Sequence, residues 1–253
     1  MSETRIEYIN KPDLKNPILI EGLPGMGYVG KLAAEHLIEE LDAEKFAELS
    51  SDYFPHHVLV DTNGVLKSVK NEFYHTKLGD RDTIIVVGDV QATTSQGHYQ
   101  ITEEILNLAE EFEVNRMFTL GGYATGEYTK KKPKVIGIVN QSELKNNFNG
   151  IEISHEEDRG PIIGVSGLLL GMGKLRGIEG LCILGETHGM LVDPRSAQSV
   201  LETLSDLLEF EVDTTTLAER AKKTEELIKK VKKEEKVRRE RMDREGEELT
   251  YIG

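Results

Sequence analysis

Apolar residues along this chain alternate between two spacings. Ile18-Leu19-Ile20, Thr83-Ile84-Ile85-Val86-Val87, Met117-Phe118-Thr119-Leu120, Val135–Val139 and Leu181-Cys182-Ile183-Leu184 are short runs without in-and-out alternation. That is the pattern of strands covered on both faces. Between them lie stripes at helical spacing: Leu32, Ala33, Leu37, Ile38 and Leu41; Ile101, Ile105, Leu106, Leu108, Ala109 and Phe112; Ala197, Val200, Leu201, Leu204, Leu207 and Leu208. Strands that feed helices in this way predict an α/β layer fold. The stretch Ile178–Phe210 shows the unit most clearly: the Leu181–Leu184 run, a turn bracketed by Gly185 and Gly189, then Asp193 as helix cap with Pro194 in the first helical position.

The remaining elements are shorter. Thr4–Ile9, Phe46–Leu49 and His57–Asp61 read as strands. Asn63-Gly64 predicts a hairpin whose returning strand runs from Val65 to about His75, which makes the sheet mixed. Gln91–Tyr99 reads as a polar loop and Glu143–Phe148 as a short helix. Ile162–Leu175 is apolar but carries Gly164, Gly167, Gly171 and Gly173, as expected of a helix packed closely on the sheet despite the cost of glycine in a helix interior.

After Phe210 the composition changes, dividing the chain into a core domain, 1–212, and a C-terminal tail, 213–253. Thr216 and Glu219 form a capping box. Leu217, Ala221, Thr224, Ile228 and Val231 follow at alternating steps of four and three, a thin coiled-coil-like seam. From Lys229 to Arg241 the pattern is almost wholly charged. A helix from Thr214 to Arg241 would span roughly 40 Å at 1.5 Å per residue. The chain closes on Leu249, Thr250, Tyr251, Ile252 and Gly253, apolar residues after a charged run that read as a docking or self-association peptide.

The 253 residues carry a formal net charge of -14, which argues against general nucleic-acid binding. No apolar run reaches the ~20 residues of a membrane helix. Met1–Asn10 lacks the features of a signal peptide, and the lone cysteine, Cys182, fits a reducing compartment, so the expected location is cytoplasmic.

Chemistry is sparsely signalled. Gly25-Met-Gly27-Tyr-Val-Gly30 matches a dinucleotide-binding turn, with Glu48 at a tolerable distance for the ribose acid. The same glycines equally suit a tight turn with close helix–strand packing, and that reading is preferred. Ser166, in Gly164-Val-Ser-Gly-Leu, falls one glycine short of a nucleophile elbow. His56, His57, His75, His98, His155 and His188 lack metal-ligand spacing, so no metal or cofactor is expected. Glu186 and His188, at the end of a strand, are the best-placed acid/base pair.

Glu21-Gly-Leu-Pro-Gly-Met-Gly-Tyr-Val-Gly30, Gly121-Gly-Tyr, Gly164-Val-Ser-Gly-Leu-Leu-Leu-Gly171, Gly180–Leu191 and Asp193-Pro194 occur in order across residues 15–210. Taken together, the chain resembles the archaeal branch of the proteasome assembly chaperone family. The resemblance implies a three-layer α/β/α sandwich of phosphorylase/hydrolase-like type, homo-oligomers, and binding of the 20S proteasome or its α-subunits in place of catalysis. It also implies a C-terminal hydrophobic–tyrosine–any signature. Here Tyr251 is third from the end and Ile252 penultimate, a displacement by one residue that leaves self-assembly open as the tail's role. The leading expectation is a non-enzymatic chaperone or adaptor. The alternatives are a nucleotide- or phosphate-binding enzyme using Gly25, Gly27 and Gly30, and an assembly protein with another partner.

Overall fold

The computed structural model describes residues 4–127, 131–154 and 160–224. Eleven strands and four α-helices run in the order β1 (Thr4–Tyr8), β2 (Ile18–Gly22), α1 (Val29–Glu40), β3 (Glu44–Ser51), β4 (Val58–Val60), β5 (Leu66–Ser68), β6 (Asn71–Leu78), β7 (Arg81–Gly88), α2 (Ser95–Glu111), β8 (Arg116–Ala124), β9 (Val135–Val139), β10 (Glu152–Ile153), α3 (Val165–Leu175), β11 (Glu179–Thr187) and α4 (Pro194–Leu208). Residues 215–224 form a further helical segment.

Nine strands make one mixed sheet in the order β1-β3-β6-β7-β2-β8-β11-β9-β10. β7, β2, β8 and β11 are mutually parallel, while β1, β3, β6 and β7 pair antiparallel, as do β11 and β9. Alternate residues of each central strand enter opposite cores. Leu19, Val86, Met117 and Cys182 meet Ile101, Ile105, Leu106, Leu169 and Leu170 of α2 and α3. Ile20, Ile85, Phe118 and Ile183 meet Ala33, Leu37, Val200, Leu201 and Leu204 of α1 and α4. Two helices on each face make the three-layer α/β/α sandwich, and the unbroken apolar runs are explained by burial on both sides.

Four local readings change. The run after Asn63-Gly64 is not one strand: β5 stays with β4 in a separate two-stranded hairpin, and β6 joins the main sheet. Val69 turns into the core between them, and β6 is set instead by the Gly79-Asp80 turn to β7, where Gly79 takes φ +59°. Phe46–Leu49 extends to the eight residues of β3, inside the antiparallel half. The Gln91–Tyr99 loop ends at Thr94, whose side chain accepts the Gly97 N–H and starts α2 five residues early. At the tail's root Asp213 Oδ1 accepts the Thr215 N–H at 2.8 Å, so capping begins ahead of Thr216.

The tail's root is attached to the body. Leu217 and Ala221, the first two seam positions, are buried, with Leu217 in the α1/α4 core. His36 of α1 hydrogen-bonds the Asp213 carbonyl at 2.6 Å, and Arg220 lies 3.6 Å from Glu39. Ile228, Val231 and Leu249–Gly253 lie outside the described residues.

Candidate functional site

The C-terminal ends of β2, β8 and β11 converge on a cavity of about 200 Å³, the position at which open α/β sheets hold ligands. Its walls come from the four stretches that carry the family resemblance: Leu23, Gly25 and Met26 after β2; Leu120–Ala124 on β8; Pro161–Ile163 and Ser166 at the start of α3; and Leu184 on β11. Gln91 also lines it and braces two of these stretches. Its Nε2 donates to the Pro24 carbonyl at 2.6 Å, and its Oε1 accepts the Val165 N–H at 3.1 Å. Gly164, at φ +95°, lies flat against this amide; a Cβ there would come 2.6 Å from Gln91 Oε1.

Beneath the cavity sits Glu21, fully buried. Its Oε1 accepts the Leu23 N–H at 2.9 Å, while Oε2 has no partner in hydrogen-bond geometry. Burial pushes its carboxyl up to about 7, with the Leu23 N–H and the neighbouring Ser166 hydroxyl pulling the other way. Thr119 stands opposite Glu21 in register, and Cys182 opposite Thr119. The same desolvation, with Glu21 nearby, pushes the Cys182 thiol up to about 12, so it is a packed and unreactive group.

The glycine turn serves packing. A Cβ on Gly30 would lie 2.0 Å from the Leu120 carbonyl oxygen, so α1 can rest on β8 only with hydrogen at that position. The Tyr28 N–H is taken by the Gly25 carbonyl and the Gly27 carbonyl by the Asp193 N–H. Glu48 fails as a ribose acid for a topological reason: β3 is separated from β2 by β6 and β7, and Glu48 pairs with Lys45 and Lys70 at 2.5 Å each.

Glu186 and His188 are not brought together by any hydrogen bond or ion pair among the described residues. Glu186 Oε2 accepts the Lys134 N–H at 3.3 Å, and His188 Nδ1 is buried without a partner. Thr187 between them is the structural residue. It donates to Asp193 Oδ2 at 3.0 Å while Asp193 Oδ1 accepts the Ser196 N–H, tying β11 to the α4 cap. Among the described residues no group of three His, Cys, Asp or Glu side chains is placed to hold a metal ion, and no helix is long and apolar enough to cross a membrane.

The fold and its glycine-packed strand ends define an α/β/α scaffold with a small, mostly apolar cavity at the ends of its central strands and no assembled catalytic constellation among the described residues. Residues 19–232 match the family described as PAC2, and the chain belongs to that family. It is 40% identical over 243 residues to an uncharacterised protein of Methanocaldococcus jannaschii, covering 95% of this chain and 93% of that one. Among solved structures it is similar to Pyrococcus furiosus PbaB, described as an archaeal proteasome activator, at 45% identity and TM-score 0.86 over 92% of this chain and 100% of that chain. It is also similar to Pyrococcus furiosus PbaA, described as an archaeal homologue of proteasome-assembly chaperone, at 28% identity and TM-score 0.73 over 93% and 100%.

Proposed function

We propose that this chain is a non-enzymatic, oligomeric chaperone or adaptor that binds the 20S proteasome or its α-subunits in proteasome assembly or activation. The observation that carries this reading is the near full-length likeness to the Pyrococcus activator, in sequence as well as in fold. The body supplies the rigid part. Exposed Tyr28, Met190, Leu191 and Val192 give it apolar surface to bury against another copy. The tail root is held against the body by Leu217, in the α1/α4 core, and by His36 of α1. Leu249, Thr250, Tyr251, Ile252 and Gly253 then form the docking peptide, with apolar side chains for a pocket.

The test is co-sedimentation of 20S particles with the full chain and with a chain lacking residues 249–253. The full chain should travel with the particle and the shortened one should not, while both keep the same melting temperature and the same mass by light scattering. Failure of the full chain to bind would refute the proteasome reading. Equal binding by both chains would place the contact on the body.

A further inference from the structure

Behind the cavity wall formed by Leu23 and Ser166 lies polarity that the fold leaves under-used. Glu21 Oε2 and the Thr119 hydroxyl are buried and lie on facing positions of neighbouring strands; neither has a partner in full hydrogen-bond geometry, and their polar neighbours are the Ser166 hydroxyl for Glu21 and the Cys182 thiol for Thr119. Buried polar atoms are ordinarily paired, so two such groups side by side call for an explanation. Both residues face the α2/α3 side of the sheet, where the cavity lies, as do Leu19 and Met117 two residues before them. Glu21's two polar neighbours, Leu23 and Ser166, are themselves cavity walls. No lysine or arginine pairs with Glu21 among the described residues, and Glu21 itself helps to raise the Cys182 thiol.

We infer that the cavity is a binding site for a compact, largely apolar ligand with one amino head group, the head meeting Ser166, whose hydroxyl neighbours the buried Glu21 carboxyl, and the body resting on Leu23, Ile162 and Leu184. The volume sets the size. About 200 Å³ accommodates on the order of six or seven non-hydrogen atoms at ~30 Å³ each. The walls set the body: apart from Gln91, Ser166 and the Tyr123 hydroxyl the side chains are apolar, and both ends of the Gln91 amide are already occupied. Glu21, behind Ser166, sets the head. A cation returns Glu21 to its charged form, whereas an anion would meet a carboxyl in a chain of net charge -14. The start of α3 does not reverse this preference, because its first N–H is held by Gln91.

The inference is independent of proteasome binding, and its failure would leave the tail-deletion result unchanged. It is tested by ligand-observed NMR titration of the full chain with 3-methylbutylamine, 3-methylbutan-1-ol and 3-methylbutanoate, which share one body and differ in head group. The amine should bind at least about tenfold tighter than the acid. Its affinity should rise about tenfold between pH 6 and pH 8, as a carboxyl with a pKa near 7 ionises while the amine stays charged. Glu21→Gln should abolish the preference for the amine. Ser166→Leu, which places a side chain in the cavity, should abolish binding of all three probes, with melting curves confirming that each variant folds. Preference for the acid, equal binding of the three heads, an unchanged preference in Glu21→Gln, or no binding at all would overturn the inference.

Discussion

Glu21→Gln isolates the cost of a carboxyl buried without a cation. The amide is nearly isosteric and keeps an oxygen for the Leu23 N–H, so packing and the turn after β2 survive. What changes is ionisation. In the folded chain the carboxyl titrates near 7, against 4.5 for an ordinary glutamate. A folded pKa above the unfolded one means that the unfolded chain ionises first. Native stability therefore falls as pH rises from about 4.5 to 7 and is level above that. The full penalty corresponds to about 3 kcal/mol. Between pH 5 and pH 8 the portion expressed is about 2.5 kcal/mol. Urea unfolding of both chains at pH 5, 6, 7 and 8, at one protein concentration, gives the difference in unfolding free energy and cancels every other titrating group. The variant should gain about 2.5 kcal/mol relative to the parent across that range. A difference that stays flat would mean that Glu21 titrates as an exposed glutamate does, and a difference of opposite sign would mean that a cation compensates it. Either result refutes the desolvation account.

Two further outcomes follow from packing. Gly30→Ala puts a methyl 2.0 Å from the Leu120 carbonyl, a backbone atom that cannot rotate away, so α1 must lift from β8; a loss of about 3 kcal/mol or more is expected, read as a fall in melting temperature or loss of soluble protein. Leu217→Ala removes a fully buried side chain from the junction of tail and body, a change that ordinarily costs about 2–5 kcal/mol; because the root is peripheral, the loss should appear as faster tryptic cleavage at Lys222 and Lys223 with the body intact, and unchanged protection would show that Asp213 and His36 alone hold the root.

The parallel half of the sheet was legible because its strands are covered on both faces. Burial on both sides leaves unbroken apolar runs, and Ile18–Ile20, Thr83–Val87, Met117–Leu120 and Leu181–Leu184 all became central strands. Asp193-Pro194 was legible for a local reason, since cap and first-turn chemistry depend on few residues. The antiparallel half was read less well. β3 and β6 mix buried apolar positions with lysine and glutamate that pair along and across strands, as Lys45 does with Glu48 on β3 and with Glu72 on β6, and such ion pairs blur the alternation. The cue for β6 was present in Leu78-Gly79-Asp80-Arg81, a two-residue hairpin signal outweighed by Asn63-Gly64. In the glycine-rich helix the close-packing expectation holds for Gly173, where a Cβ would meet Met117 at 2.3 Å, but not for Gly171, which faces open space.

The site was legible in its parts and not in its assembly. Gly25, Gly121, Gly122 and Ser166 stood out in sequence as separate motifs, and only the topology shows that they surround one cavity. Glu21 was passed over as the end of a strand, although a lone acid following Ile18-Leu19-Ile20 on a doubly covered strand must be buried. That residue bears on what the body is for. A scaffold needing nothing but packing at position 21 would be more stable above neutral pH with glutamine, which keeps the Leu23 hydrogen bond without the desolvation penalty. An ionisable group serves there only if something enters the cavity that distinguishes a carboxyl from an amide. Under the proposed function the tail recruits a partner, which gives no reason for Glu21 and Thr119 to lie behind Ser166 at the wall of an apolar chamber. The charge preference of the cavity, and not its volume, therefore separates a body that merely positions the tail from one that also senses a small molecule.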